Sequence, residues 1–123
     1  MEWTLDKSRP ICPQICEQVC LRIVLGEFQA GERLLSVRDV ALAAGVNPNT
    51  VQKSFDILEE KGILYSQRGS GWFVSEDVAS AREMYSEILN EKTAEYFSAM
   101  RALGMDHEQT KKYVSEWIAQ KED

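Results

Sequence analysis

The stretch Gly45-Val46-Asn47-Pro48 constrains the fold of this chain more than any other feature of the sequence. Asparagine is a favoured N-cap and proline a favoured first helical residue, so a helix is predicted from Pro48 to about Lys61. A shorter helix precedes it, beginning after the capping hydroxyl of Ser36 and ending at Gly45. Two helices joined by so short a glycine-containing turn form a helix-turn-helix.

The helix that begins at Pro48 has two chemically different faces. Val51, Phe55 and Leu58 recur at helical spacing and are predicted to face a core. Asparagine and glutamine can pair with adenine edges, and lysine can reach guanine or a phosphate. A polar outer face is also normal on any surface helix, so both interpretations stay open at this point. The polar side consists of Asn49, Gln52, Lys53 and Asp56.

A glycine-rich turn, Arg68-Gly69-Ser70-Gly71, follows the second helix and is flanked by aromatic and branched residues. This pattern predicts a β-hairpin, and a hairpin after a helix-turn-helix makes a winged helix. Arg68 at the tip suits a phosphate or a narrow minor groove, although a solvated turn arginine is equally compatible. We expect Trp3-Thr4-Leu5 to add a short strand to this sheet, and Trp72 to pack on the first helix rather than stack on a base.

The first helix is predicted from about Cys12 to Leu25, because apolar residues recur there every four positions. Three cysteines, Cys12, Cys16 and Cys20, lie along it. Thiols at this spacing climb about 12 Å of helix, so a single ion could not bind all three. We expect them to be packing residues; a two-thiolate metal site and a redox bridge between two chains are the alternatives.

Charge and composition limit the classes of function that this chain can have. The net charge of −6 argues against a nucleic-acid partner, but residues 1–75 hold eight basic and nine acidic side chains, whereas residues 76–123 hold six and eleven. The acidity therefore lies mostly in the C-terminal part. Neither a secretory signal nor a run of apolar residues long enough to span a bilayer is visible, so we expect a cytoplasmic protein. No nucleophile, metal or phosphate motif is present, so we expect neither an enzyme nor a cofactor.

The C-terminal part, residues 76–123, is predicted to form two helices, with Asp106 and Gln109 placed as a capping box for the last one. Two helices cannot bury their apolar stripes against each other alone, so these must pack on the winged domain of residues 1–75, on a second copy of the chain, or on both. A symmetric dimer is the economical interpretation. The aromatic side chains of these two helices could instead line a pocket for an effector molecule. The predicted dimerisation residues are Tyr85, Ile88, Leu89, Tyr96, Met100, Leu103, Tyr113 and Trp117.

Five segments together resemble the DNA-binding domain of GntR-family bacterial regulators, and the short two-helix tail resembles the YtrA subfamily. These segments cover residues 10–15, 34–38, 45–51, 58–62 and 68–74. The resemblance implies an α+β, mainly α, winged helix-turn-helix that binds double-stranded operator DNA as a homodimer. Together with the polar face of the second helix, it gives a candidate DNA-binding set of Ser36, Arg38, Asn47, Asn49, Thr50, Gln52, Lys53, Arg68 and Gly69.

Four positions depart from the family pattern. Leu35 replaces a usual proline, Cys12 a usual tyrosine, Pro48 a basic DNA contact of many members, and Ser70 a common wing lysine. Fewer cations predict a shallower salt dependence of DNA binding than a typical member shows. None of these changes alters the predicted fold.

The sequence therefore predicts a sequence-specific transcriptional regulator, a repressor that occupies a palindromic operator as a homodimer. A winged-helix module that binds protein and no longer binds DNA is the alternative, since the first 75 residues carry no net positive charge. The sequence indicates no particular small-molecule effector.

Overall fold

The computed structural model describes residues 2–121 of the chain. The chain divides into two compact units, Met1–Ser86 and Glu87–Asp123. The elements in chain order are α1 (Ile11–Val24), α2 (Val37–Ala44), α3 (Pro48–Glu60), β1 (Leu64–Gln67), β2 (Gly71–Val74), α4 (Ala79–Ala102) and α5 (His107–Lys121). The predicted fold class, mainly helical with a winged helix-turn-helix and two C-terminal helices, is confirmed.

The core of the first unit lies where α1 and α3 pack together. Ile15 and Val19 on α1 meet Phe55 and Leu58 on α3 in one cluster of buried side chains, which Val74 of β2 joins. Each of these side chains is at most 1% exposed. The periodicities read from the sequence of α1 and α3 therefore do face a common interior.

The helix-turn-helix is held by local caps. Ser36 accepts a hydrogen bond at Oγ from the backbone N–H of Asp39 (3.1 Å) and begins α2. Gly45 ends α2 in the left-handed conformation at φ 69°, which residues with a side chain rarely adopt. Asn47 then accepts a hydrogen bond at Oδ1 from the N–H of Asn49 (2.8 Å), and Pro48 is the first residue of α3. Both predicted helices are confirmed.

The wing is an antiparallel hairpin in which Leu64 pairs with Val74 and Gln67 with Gly71. A third segment adds to β2, but it comes from residues 31–34: the N–H of Leu34 donates to the carbonyl of Trp72 at 2.8 Å, and that of Gly31 donates to Val74 at 2.9 Å. The prediction that residues 3–5 supply this segment is wrong.

Residues 3–5 instead pack against α1. The Trp3 ring lies under the guanidinium of Arg22, 3.9 Å from its carbon to the ring centroid, and Gln18 donates to the carbonyl of Thr4 at 3.3 Å. Arg22 is buried and also forms an ion pair with Glu27, 3.3 Å from Nε to Oε2. A cation–π contact with a buried arginine, rather than strand pairing, thus fixes the N-terminal segment.

Trp72 packs against α3. Its ring meets that of Phe55 edge to face, with centroids 5.4 Å apart. Trp72 also packs against the buried core cluster to which α1 contributes, so its predicted packing on the first helix stays a prediction. The ring is half-buried in this position.

The first unit extends beyond the predicted domain boundary at residue 75. Ala81 of α4 belongs to its buried core, and the Met84 thioether lies 3.1 Å from the Cys20 thiol. The first turns of α4 therefore pack on the winged helix. Tyr85, one of the predicted dimerisation residues, lies in this first unit and is half-buried.

The second unit contains the rest of α4 and all of α5. The predicted capping box is confirmed: the N–H of Gln109 donates to Asp106 Oδ1 at 2.8 Å, and the N–H of Asp106 donates to Gln109 Oε1 at 2.9 Å. Phe97 packs edge-on against His107, with centroids 5.1 Å apart. Within residues 2–121 no helix is both long enough and apolar enough to cross a membrane.

Candidate DNA-binding site

The α3 helix divides sharply into a buried and an open side. Val51, Phe55 and Leu58 are at most 1% exposed, as their spacing predicted. The other side faces solvent along its length and carries amide, ammonium and carboxylate groups. Its residues Asn49, Gln52, Lys53 and Asp56 are all exposed. The helix is therefore held from behind and offers hydrogen-bonding groups in front.

The N-terminus of α3 is also open. Asn47 is exposed and satisfies one of the first backbone N–H groups, that of Asn49. Thr50 is half-buried, and its carbonyl accepts a hydrogen bond from Ser54 Oγ at 2.8 Å. The positive end of the helix dipole at this point favours an anion such as a phosphate.

The side-chain amide of Gln52 contacts a neighbour on the same helix. Its Nε2 donates to Asp56 Oδ1 at 2.9 Å, one turn further along α3. A carboxylate accepts hydrogen bonds only, so the nitrogen of the amide must face it and the oxygen must face elsewhere. Of the predicted site residues on α3, Gln52 is the one whose side chain is oriented by a neighbour on the same face.

The α2 residues of the predicted site are exposed and packed next to α3. Arg38 lies in the first turn of α2 and presents its guanidinium to solvent. The Ser36 hydroxyl is already engaged as the cap of that helix. Because α2 packs directly on α3, Arg38 belongs to the same packed pair of helices.

The wing tip is open and tied to α3 from below. Arg68 is exposed, and Gly69 adopts φ 80° with nothing within 4 Å of where a side chain would begin. Glu59, near the end of α3, accepts hydrogen bonds at Oε2 from Ser66 N (2.9 Å) and Ser66 Oγ (2.7 Å). These hydrogen bonds link β1, the first strand of the wing, to α3, which carries the exposed polar side.

One cation near the turn could not be predicted from the sequence. Lys7 donates from Nζ to the carbonyl of Gly45 at 2.5 Å, so an ammonium from the N-terminal segment lies at the turn between α2 and α3. The two residues are 38 positions apart in sequence, and no local pattern links them. Arg33 is a second such cation, with Nε 3.5 Å from where a Gly71 side chain would begin, beside the wing.

The cysteines lie in the interior of the first unit. Burial raises the pKa of the Cys16 thiol from its ordinary value near 9 to about 12, and the pKa of Cys20 rises equally. The Cys16 thiol approaches the carbonyl of Ser54 at 3.6 Å, and Cys12 is half-buried. Among residues 2–121 no three His, Cys, Asp or Glu side chains are grouped to hold a metal ion. These contacts are those of packing residues.

A helix-turn-helix, a wing coupled to its second helix and an exposed polar face together define a winged-helix DNA-binding protein. The family model described as bacterial regulatory proteins, gntR family, matches residues 13–74. The chain belongs to the gntR family of bacterial regulatory proteins.

Two curated relatives show how far the similarity extends. The uncharacterized HTH-type transcriptional regulator YhcF of Bacillus subtilis is 33% identical over 89% of this chain and 90% of its own length. The HTH-type transcriptional repressor YtrA of the same organism is 40% identical, over 57% of this chain and 54% of its own length. The expected resemblance to the YtrA group is confirmed.

Solved structures agree. A GntR family transcriptional regulator from Listeria monocytogenes, 36% identical, superimposes over 91% of this chain and 98% of its own with a TM-score of 0.78. BusR of S. agalactiae, solved in complex with its busAB promoter DNA, is 25% identical over 91% of this chain and 57% of its own, with a TM-score of 0.59. The protein is a DNA-binding transcriptional regulator and not an enzyme.

Proposed function

We propose that this protein represses transcription by occupying a palindromic operator as a homodimer. The division of α3 into a buried side and an open polar side is the observation that carries the proposal. A helix held in this way can lie in the major groove, which is wide enough to admit one, while the wing lies along the neighbouring backbone.

The site residues divide into two roles. Arg38, Lys53 and Arg68 bind phosphates, together with the N-terminus of α3, and fix the position of the domain on the duplex. Asn49 and Gln52 read base edges, because their amides match the donor and acceptor of adenine. The remaining predicted residues, Ser36, Asn47, Thr50 and Gly69, cap, shape or flank these elements.

The second unit supplies the dimer interface. Its apolar side chains stay exposed: Trp117 is 51% and Leu103 78% accessible. A groove of about 800 Å³ between α4 and α5 is lined by Tyr96, Phe97 and Trp117 among others. A second copy placed on this surface would bury it, and the resulting two-fold symmetry would match an operator with half-sites about 34 Å apart or a multiple of that. Of the predicted interface, Leu89, Tyr96, Leu103, Tyr113 and Trp117 are exposed, and Ile88 and Met100 are half-buried.

The sign of regulation follows from the simplest mode of action. Covering promoter DNA is the simplest way in which a DNA-binding unit can affect transcription, and the relative YtrA is named a repressor. Bacterial operator DNA lies in the cytoplasm, so we place the protein there. The groove of the second unit is also where a small-molecule effector would bind if one exists.

Selection of binding sites from a random duplex library tests the proposal. The wild-type protein should enrich a two-fold symmetric sequence. Arg38→Ala should weaken binding to all duplexes and lower the slope of log affinity against log salt by about one. Gln52→Ala should instead change the base preference at one position in each half-site.

Lys112→Ala is the matched control, since it removes one exposed cation from α5 in the second unit. Its affinity and salt slope should equal those of the wild type. A wild-type chain that enriches no sequence would refute the proposed function, and a selected site without two-fold symmetry would refute the homodimeric mode of binding.

A further inference from the structure

The exposed polar side of α3 carries one carboxylate, that of Asp56, which is not among the predicted DNA-binding residues. Asp56 is exposed and lies one turn after Gln52, about 6 Å further along the axis of α3. An acidic group on a surface that approaches phosphates weakens binding through repulsion, so its presence calls for a specific role. The contact with Gln52 provides one.

We propose that Asp56 is a positioning residue that sets which base Gln52 reads, and this inference rests on the proposed function. The carboxylate of Asp56 accepts one hydrogen of the Gln52 Nε2 group at 2.9 Å. A glutamine amide otherwise presents its oxygen and nitrogen in either of two orientations, and these offer opposite donor and acceptor orders to a base edge.

With the nitrogen held towards Asp56, Gln52 presents Oε1 and the second Nε2 hydrogen to the groove in a fixed order. That order matches the adenine edge, where the N6 amino group donates and N7 accepts. The hydrogen bond therefore orients the amide before DNA binds. The base pair that Gln52 contacts is then an A·T pair with its adenine on one particular strand. The repulsion from Asp56 lowers affinity for every duplex alike, so it affects affinity and leaves discrimination to Gln52.

The test compares the selected sites of the wild type, Gln52→Ala and Asp56→Asn. Asparagine keeps the size of aspartate but can both donate and accept, so it no longer dictates the orientation of the Gln52 amide. A bidentate amide–adenine pair discriminates by roughly 5- to 150-fold. Asp56→Asn should reduce this preference by about twofold at the base pair that Gln52→Ala also affects, because an exposed glutamine–aspartate contact four residues apart on a helix contributes only a small free energy.

Glu60→Gln is the matched control, because it removes the same charge from an exposed position one turn further along α3. Both charge-removing variants should bind non-specific duplexes more tightly, but only Asp56→Asn should lose discrimination. The double variant Gln52→Ala with Asp56→Asn should show no loss of preference beyond that of Gln52→Ala alone. Circular dichroism of each variant checks that α3 remains folded.

Three results would overturn the inference while leaving the proposed function intact. Asp56→Asn could keep the full wild-type preference, or Glu60→Gln could lose as much. Asp56→Asn could also change a base pair that Gln52→Ala leaves unchanged, which would mean that Asp56 reads a base itself. If the wild type selects no sequence, the proposed function fails first, so the two failures are distinguishable.

Discussion

The two units of this protein use apolar side chains in different ways. Of residues 2–121, sixteen apolar ones are buried and all of these lie in the first unit, whereas among residues 87–121 only Thr110 is buried. Yet the second unit contains a tryptophan, two tyrosines and several large aliphatic residues. The first unit is stabilised by its own core, and the second unit has apolar surface in excess of what two helices can cover.

The two units therefore obtain their stability from different contacts. Helix α3 packs on α1 from behind, so the open face can consist of polar groups without weakening the fold. In the second unit the same kind of helix leaves Trp117 and Ile118 about half exposed. The polar side of α3 is thus supported from within, whereas the second unit leaves large apolar side chains exposed.

The largest expected effect concerns the core of the first unit. Phe55→Ala removes a ring that is 1% exposed and contacts Trp72 edge-on. It should lower the free energy of unfolding by about 3–5 kcal/mol, because a buried cavity remains. Urea unfolding at a fixed protein concentration measures this.

Leu42→Ala serves as the comparison for Phe55→Ala, since Leu42 also lies in the first unit but is 76% exposed. Its effect should stay within about 0.5 kcal/mol. Comparable losses in the two variants would contradict the assignment of stability to the buried cluster.

The second prediction concerns the exposed surface of the helical unit. Trp117→Ala should raise the dissociation constant of the proposed dimer at least about 30-fold, because a tryptophan at the centre of an interface contributes about 2 kcal/mol or more. Sedimentation equilibrium over a range of concentrations measures the constant, and circular dichroism checks that the helix content of the whole protein is unchanged.

Lys112→Ala, on the same helix and outside the residues that line the groove, should dissociate like the wild type. If Trp117→Ala dimerises with wild-type affinity, the interface lies elsewhere. If the wild type is monomeric at every concentration, this surface does not hold two copies together.

The smallest effect concerns the closed interior of the first unit at alkaline pH. The pKa of Cys16 lies near 12 in the folded protein and near 9 when the thiol is free in the unfolded chain. Between these values the unfolded chain loses a proton that the folded protein keeps, so this contribution to the free energy of unfolding is complete below pH 9 and decreases as pH rises towards 12. Unfolding curves between pH 7 and pH 10.5 should be less pH-dependent for Cys16→Ala.

Thiol modification gives an independent measurement of the same interior. Cys12 is half-buried, whereas Cys16 and Cys20 are buried, so a thiol reagent should modify Cys12 first and the other two only after unfolding. Mass spectrometry of partly modified protein identifies the sites. Rapid modification of Cys20 in the folded protein would mean that the core around Met84 is open.

The parts of the fold that were predicted from sequence have local causes. The adjacent residues Asn47 and Pro48 determine where α3 begins, and the glycines at 69 and 71 allow the chain to turn in the wing. The pairing of residues 31–34 with β2 was missed because this segment has neither the length nor the alternation of a strand. Trp3 was misplaced because its partner, Arg22, is a charged residue that sequence reasoning assigns to the surface.

The candidate site also combines features that follow from local sequence with one that depends on distant segments. The exposed set on α3 follows from helical spacing, and the Gln52–Asp56 hydrogen bond joins residues four apart, a spacing at which helix side chains meet. The Lys7 ammonium at the turn could not be predicted, since it depends on how the N-terminal segment passes over α1 and reaches Gly45. Contacts between distant segments are set by tertiary packing, and no short pattern records them.

The packing of Trp72 on Phe55 has a practical consequence for experiments. The chain has three tryptophans, and they lie in the N-terminal segment, the wing and α5. Replacing two of them with phenylalanine leaves one intrinsic fluorophore, so emission from Trp72 would report on wing movement when DNA is added. Emission from Trp117 in the corresponding variant would follow burial of the helical surface, and the two signals could be titrated in the same solution conditions.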